Sequence, residues 1–173
     1  MTLSLYAATI PAFRQMVDAV AAVLDKAEAF AAETGIDPQS LVDARLAPDM
    51  LPFAYQVKAV ATHSLGAIEG VRAGTFSPDR GAFPVDLAAM RALLELTAAG
   101  LAALDSTEID GFTGRDMVFV AGDRRMEFTA EDFLLSFTIP NFYFHAATAY
   151  GILRSKGVPL GKRDFLGRPR MKG

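Results

Sequence analysis

LYAATIPAFRQMVDAVAAVLDKAEAFAAET, residues 5–34, decides the fold class. Its apolar residues Ile10, Phe13, Val17, Val20, Leu24, Ala27 and Ala31 recur at spacings of three and four, which is one stripe of an α-helix. Pro11 sits near the start, where a missing N–H costs little, and Gly35 is a natural C-terminal stop. A helix this long with a single apolar stripe must lay that stripe against other elements.

The rest of the chain supplies them. IDPQSLVDARLAPDM (36–50) reads as a connector with a short helical turn in PQSLVDAR. Asp49 is placed to cap a second helix, with Pro52 in its first turn, running to about Ala73. Gln56, Ala59, Val60, His63 and Ala67 share one face of it. GTFSPDRGAFP (74–84) is a loop dense in glycine and proline. Leu87, Met90, Leu94, Thr97, Leu101 and Leu104 mark a third helix from about Val85 to Leu104, and STEIDGFTG (106–114) follows as a loop. DMVFVAGDRRMEF (116–128) places two runs of β-formers around AGDR and reads as a hairpin. TAED (129–132) is a capping-box variant that opens a fourth helix to about Ser155, with Pro140 inside it expected to kink it and free the Ser136 carbonyl. The expected architecture is one all-α domain over residues 1–173: a four-helix bundle with a small β-hairpin before the last helix. The two long connections leave room for crossovers, so up-down-up-down order is not forced.

Composition narrows the function classes. The 173 residues carry a net charge of −3, which leaves no broad basic face for nucleic acid. Only the tail 157–173 is locally basic, and it reads as a surface extension. Without cysteine there is no thiolate nucleophile and no Cys-based zinc site. The start lacks the basic region and continuous apolar core of a signal peptide, and continuous apolar runs fall short of the roughly 20 residues of a membrane span. The expectation is a cytoplasmic protein with neither nucleic acid nor membrane as partner.

Chemistry rests on two histidines. His63 lies on the apolar face of the second helix and His145 on the fourth, so the two could meet across the core. Two imidazoles suit zinc, nickel or iron, but a catalytic site normally has three protein ligands. The positions around His145 hold Asn141, Thr148 and Ala149, which are poor ligands. As a general base, either histidine lacks a carboxylate at helical spacing, and nothing in the sequence orients the ring. Gln56, Asn141 and Tyr150 are candidate pocket partners of His63 and His145. GVPLGK (157–162) is too short between its glycines for a phosphate loop and reads as a helix stop and turn. Arg45 and Asp49 read as a tie between loop and helix end. The aromatics Phe133, Phe137 and Phe142 to Phe144 exceed one helical face; packing against the hairpin is the first reading, a homodimer contact the second.

LYAATIPAF (5–13), RLAPDMLPFAYQV (45–57), IPNFYFHAATAYGILRSKGV (139–158) and GKRDFLG (161–167) together resemble domain-of-unknown-function family 1993, across essentially the whole chain. The resemblance implies an uncharacterised bacterial family with the DinB/YfiT-like bundle fold. In that superfamily three histidines, one on the second helix and an HxxxH pair on the last, commonly hold a divalent metal. Members include thiol S-transferases and a thiol-dependent isomerase, and dimers are common. His63 then lies on the helix of the first ligand and His145 on that of the other two, while Ala149 fills the slot of the HxxxH partner. Two readings follow. The first is a small-molecule-binding bundle, homodimeric, whose metal site is degenerate or absent. The alternative is a divalent-metal-dependent enzyme of the thiol-transferase or isomerase type using His63 and His145.

Overall fold

The structure is a computed structural model that describes residues 3–172. Helix α1 (Leu5–Thr34) starts where the Ser4 hydroxyl accepts the Ala7 N–H and ends at Gly35, whose φ of 72° is the left-handed conformation a C-cap needs. Its predicted stripe is buried. By length and apolar content α1 would suffice to cross a membrane, at a mean hydropathy of 1.3 over 18 residues. Half of that window is buried inside the bundle, and Arg14, Asp18, Asp25 and Lys26 face outward, as in an amphipathic core helix.

A short α2 (Pro38–Val42) crosses the end of the bundle. The second long rod is α3 (Phe53–Ala61), a π-helical segment (Thr62–Gly66) and α4 (Ala67–Ala73) in unbroken succession. Asp49 does not cap it. Pro52 holds the N-cap position without a side-chain bond, and the first N–H groups go to Ala44 O and Pro52 O instead. Nor do Arg45 and Asp49 pair: the Arg45 guanidinium donates to Met50 O, 2.9 Å away.

Helix α5 (Leu87–Ala102) is capped by Asp86, which accepts the Ala89 N–H at 2.7 Å. STEIDGFTG is partly helical, because Asp105 caps α6 (Ser106–Asp110). The hairpin pairs β2 (Asp116–Ala121) with β3 (Arg124–Thr129), as expected. The sheet gains a third strand that the loop reading missed: β1 (Thr75–Phe76) runs parallel to β2, with Thr75 opposite Val118. Gly70 makes this possible, since a Cβ there would lie 2.9 Å from the Phe76 ring.

The last rod is α7 (Ala130–Asp132), a second π-helical segment (Phe133–Thr138) and α8 (Ile139–Ser155). Thr129 caps it as predicted. Pro140 opens α8 directly after the π segment, in the first turn, where its missing N–H is tolerated. The expected interior break is therefore absorbed as a change of helix type.

Around the bundle the neighbours run α1, α5, α3, α8 and back to α1. The first and second long helices are thus diagonal, as are the third and fourth. The long connectors make those crossovers. The tail is more than a surface extension. Val158 and Leu160 are buried, α9 (Lys162–Leu166) docks on α1, and Asp164 holds both the Gly161 N–H and Lys26 Nζ at 2.7 Å.

The aromatic cluster divides. Phe133 and Phe137 pack at tilted and edge-on angles against Phe76, Phe119 and Phe128 of the sheet. Phe142 meets Phe13 of α1 edge-on at 4.8 Å. Phe144 stays outside at 58% exposure.

Candidate functional site

Both histidines reach one cavity of about 200 Å³, between α3 and α8 and roofed by β1 and β2. Their ring centres are 5.6 Å apart. Each lies beside a π-helical distortion. His63 is inside the first, and the second carries Phe137, which packs on His63 at 6.2 Å. Such distortions are frequent at functional sites because the wider turn re-aims a side chain.

His145 is oriented after all. The Gln56 amide nitrogen donates to Leu51 O at 2.9 Å, so the amide oxygen is the atom that faces His145 Nδ1 at 2.8 Å. An amide oxygen only accepts, so Nδ1 carries the proton and Nε2 the lone pair. Gln56 is 3% exposed, and its other contact is backbone, which makes it a rigid support beneath the site. Tyr55 packs edge-on against the same imidazole at 5.8 Å. His63 has no such support: Nδ1 is buried without a hydrogen-bond partner. Burial pushes His63 down to about 4, with His145 beside it adding to the effect, and burial alone pushes His145 down to about 4. Both rings are therefore neutral at pH 7.

Asn141 lines the cavity one turn before His145, its amide nitrogen donating to Phe137 O at 2.7 Å. Tyr150 does not join the site. Its ring packs on Phe165 of α9, at 5.9 Å. Two groups that the sequence reading passed over do join: Lys58 and Asp79. The Lys58 side chain is only 9% exposed and sits 2.8 Å from the Asp79 carboxylate. The Lys58 hydrogen bond holds the Asp79 carboxyl below its usual range, assisted by the Gly81 N–H. A lone lysine in the otherwise apolar helix FAYQVKAVA was the available signal, at helical spacing from Tyr55 and Thr62.

The ring separation of 5.6 Å matches that of two imidazoles on one metal ion, but the rings lie nearly parallel, at 15°, stacked rather than aimed at a common point. Nor does the donor set complete a metal site. Among the described residues, no group of three or more His, Cys, Asp or Glu gathers. Ala149, in the expected partner slot, is 1% exposed and faces the core. The position that lines the cavity at four-residue spacing is Asn141 instead; its amide nitrogen donates to Phe137 O, and its neutral amide oxygen is a weak ligand for these metals.

The model of the family described as "Domain of unknown function (DUF1993)" matches residues 5–166. The chain belongs to that family. A crystal structure of a DinB family member protein from Shewanella denitrificans superposes with a TM-score of 0.80 at 28% identity, covering 98% of this chain and 95% of that one. No curated protein matches. The DUF1993 chain thus has a DinB-like, mostly helical fold with a small sheet, and the two-histidine cavity is built on that frame.

Proposed function

We propose that this protein binds a small polar molecule in the cavity between α3 and α8, at a metal site reduced to two histidines. The convergence of both imidazoles with Thr62 and Asn141 on one cavity carries the reading. The His63 ring lines that cavity while its Nδ1 is sealed inside the fold. Neutral His145 offers a second, oriented contact through Nε2, and Asn141 and Thr62 add polar groups to the wall. A cavity of this size admits a fragment rather than a drug-sized ligand.

The test is a histidine side-chain 1H–15N spectrum of untagged protein, titrated with small polar amides and alcohols, beside elemental analysis. Fragments should shift both imidazoles with millimolar Kd, and His63→Phe should remove the response. Metal supports a second reading, a divalent-metal-dependent enzyme of the thiol-transferase or isomerase type, which the 5.6 Å ring separation favours. That reading requires near-stoichiometric zinc, nickel or iron in the wild type, lost in His63→Ala and in His145→Ala. If neither fragments nor metal reach the imidazoles, both readings fall.

A cytoplasmic homodimer completes the proposal. Tyr143 and Phe144 are exposed on α8, and Leu46 lies against Gly151 farther along the same helix. Exposed rings beside an apolar neighbour support a self-association surface. Sedimentation equilibrium should give a dimer that Phe144→Asp converts to monomer; a wild-type monomer at 100 micromolar (on the order of the weakest dimers that count) removes this part.

A further inference from the structure

Lys58 stands between two cavities. One is the imidazole cavity; the other, about 480 Å³, lies between α3, α5 and the segment 77–86, and Phe83, Pro84, Val85 and Leu93 give it apolar walls. Lys58, Thr62 and Asp79 line both. The Lys58 ammonium is held by Gly81 O at 2.7 Å and by the Asp79 carboxylate at 2.8 Å. Both partners come from the segment, none from the bundle.

A buried ammonium requires a counter-charge. Here the counter-charge is the least anchored group nearby. The Asp79 side chain is 48% exposed, and residues 77–83 are exposed throughout. Segments with so few buried contacts open at low free-energy cost. Asp86 anchors the end of the segment as the cap of α5; between there and Asp79 its tie is the Phe83 ring against Tyr55, edge-on at 6.2 Å, and Phe83 is itself 38% exposed. A fixed buried cation, a replaceable anion and an adjoining apolar cavity are the parts of a carboxylate site.

We infer that segment 77–86 is a lid and that the ligand is an amphiphilic monocarboxylate, whose carboxylate replaces Asp79 on Lys58 Nζ and whose apolar body fills the Phe83–Leu93 cavity. This goes beyond the small-molecule reading above: the site shares Lys58, Thr62 and Asp79 with the imidazole cavity but takes its ligand in the neighbouring one. Asp79 then acts as a built-in competitor: the closed latch lowers apparent affinity by the fraction of molecules it occupies. A salt bridge kept only for stability has no such effect.

Octanoate and its neutral isostere octanamide are the probes, followed by calorimetry and by the backbone amide signals of Val85 and Leu93. Octanoate should bind at least about tenfold more tightly than octanamide, the worth of one charge-assisted contact. Asp79→Asn should tighten octanoate binding by about tenfold, since the latch no longer competes. Lys58→Met should abolish octanoate binding, and Lys58→Arg should keep it. His63→Phe, which removes the fragment response, leaves octanoate binding unchanged, because His63 does not line the Phe83–Leu93 cavity; the two sites therefore report separately. Equal affinity for octanoate and octanamide overturns the inference, as does an Asp79→Asn variant that binds no more tightly, or a failure of octanoate to bind either wild type or Asp79→Asn. Each of these leaves the small-molecule reading standing as long as fragments still shift the imidazoles.

Discussion

Phe142→Ala should lower unfolding free energy by about 3–5 kcal/mol, the range for deleting a large ring from a sealed core. Phe142 has no exposed surface and closes edge-on against Phe13, itself fully buried. The pair joins α8 to α1. The lost ring leaves a void that two rigid helices cannot collapse into, and aromatic pairing adds to the loss. The consequence for the site is indirect. With α8 no longer seated on α1, His145 loses its register against Gln56 of α3. Urea denaturation gives the stability, and a histidine side-chain spectrum gives the register. A loss under about 1 kcal/mol would mean that α8 does not pack on α1 in this way.

Acidification should destabilise the fold well before the carboxylates titrate. His63 and His145 are both held down to about 4 from an ordinary 6.5, chiefly by burial. Above pH 6.5 both rings are neutral, folded or unfolded, and their neutrality costs nothing. Between pH 6.5 and 4 the unfolded chain takes up protons that the folded chain refuses, so stability falls as pH falls. For His63 the full effect is roughly 3 kcal/mol, reached near pH 4. His145 is more exposed and contributes less, because solvent screens it. Asp79 shares the cavity, but the Lys58 hydrogen bond holds its carboxyl below the usual carboxylate range, so its protonation falls below this window. Denaturation of wild type and His63→Phe at pH 7.5, 6, 5 and 4 isolates the effect. The stability difference between them should shift by roughly 3 kcal/mol over the series in favour of the variant; a difference that stays flat would show that His63 is not buried as described.

Helices, hairpin and the Thr129 cap were legible because each is a local pattern: apolar spacing of three and four, β-formers around a turn, a hydroxyl before an acidic turn. Asp49 misled for a related reason. A side chain suited to capping stands near the right place, but the connector satisfies the first N–H groups of α3 through Ala44 O and Pro52 O. Strand β1 is two residues long and exists only because Gly70 lets Phe76 approach α4, a contact with no periodic signal. The π-helical segments carry no periodic signal of their own, although the second ends at Thr138, just ahead of Pro140.

The candidate site shows the same division. Sequence alone placed the two histidines on the second and fourth helices, put Gln56 and Asn141 at helical spacing from them, and showed no third strong ligand at helical spacing from His145. Only the tertiary structure decided that the two rings come within 5.6 Å, that Gln56 fixes the proton of His145, that Tyr150 turns away to Phe165, and that Lys58 meets Asp79. The reason is the reach of the interactions. Periodicity states which face of a helix is buried, but rotation of one helix against another, and the path of the chain over the 21 residues from Lys58 to Asp79, are set by side chains that meet only after the chain has folded.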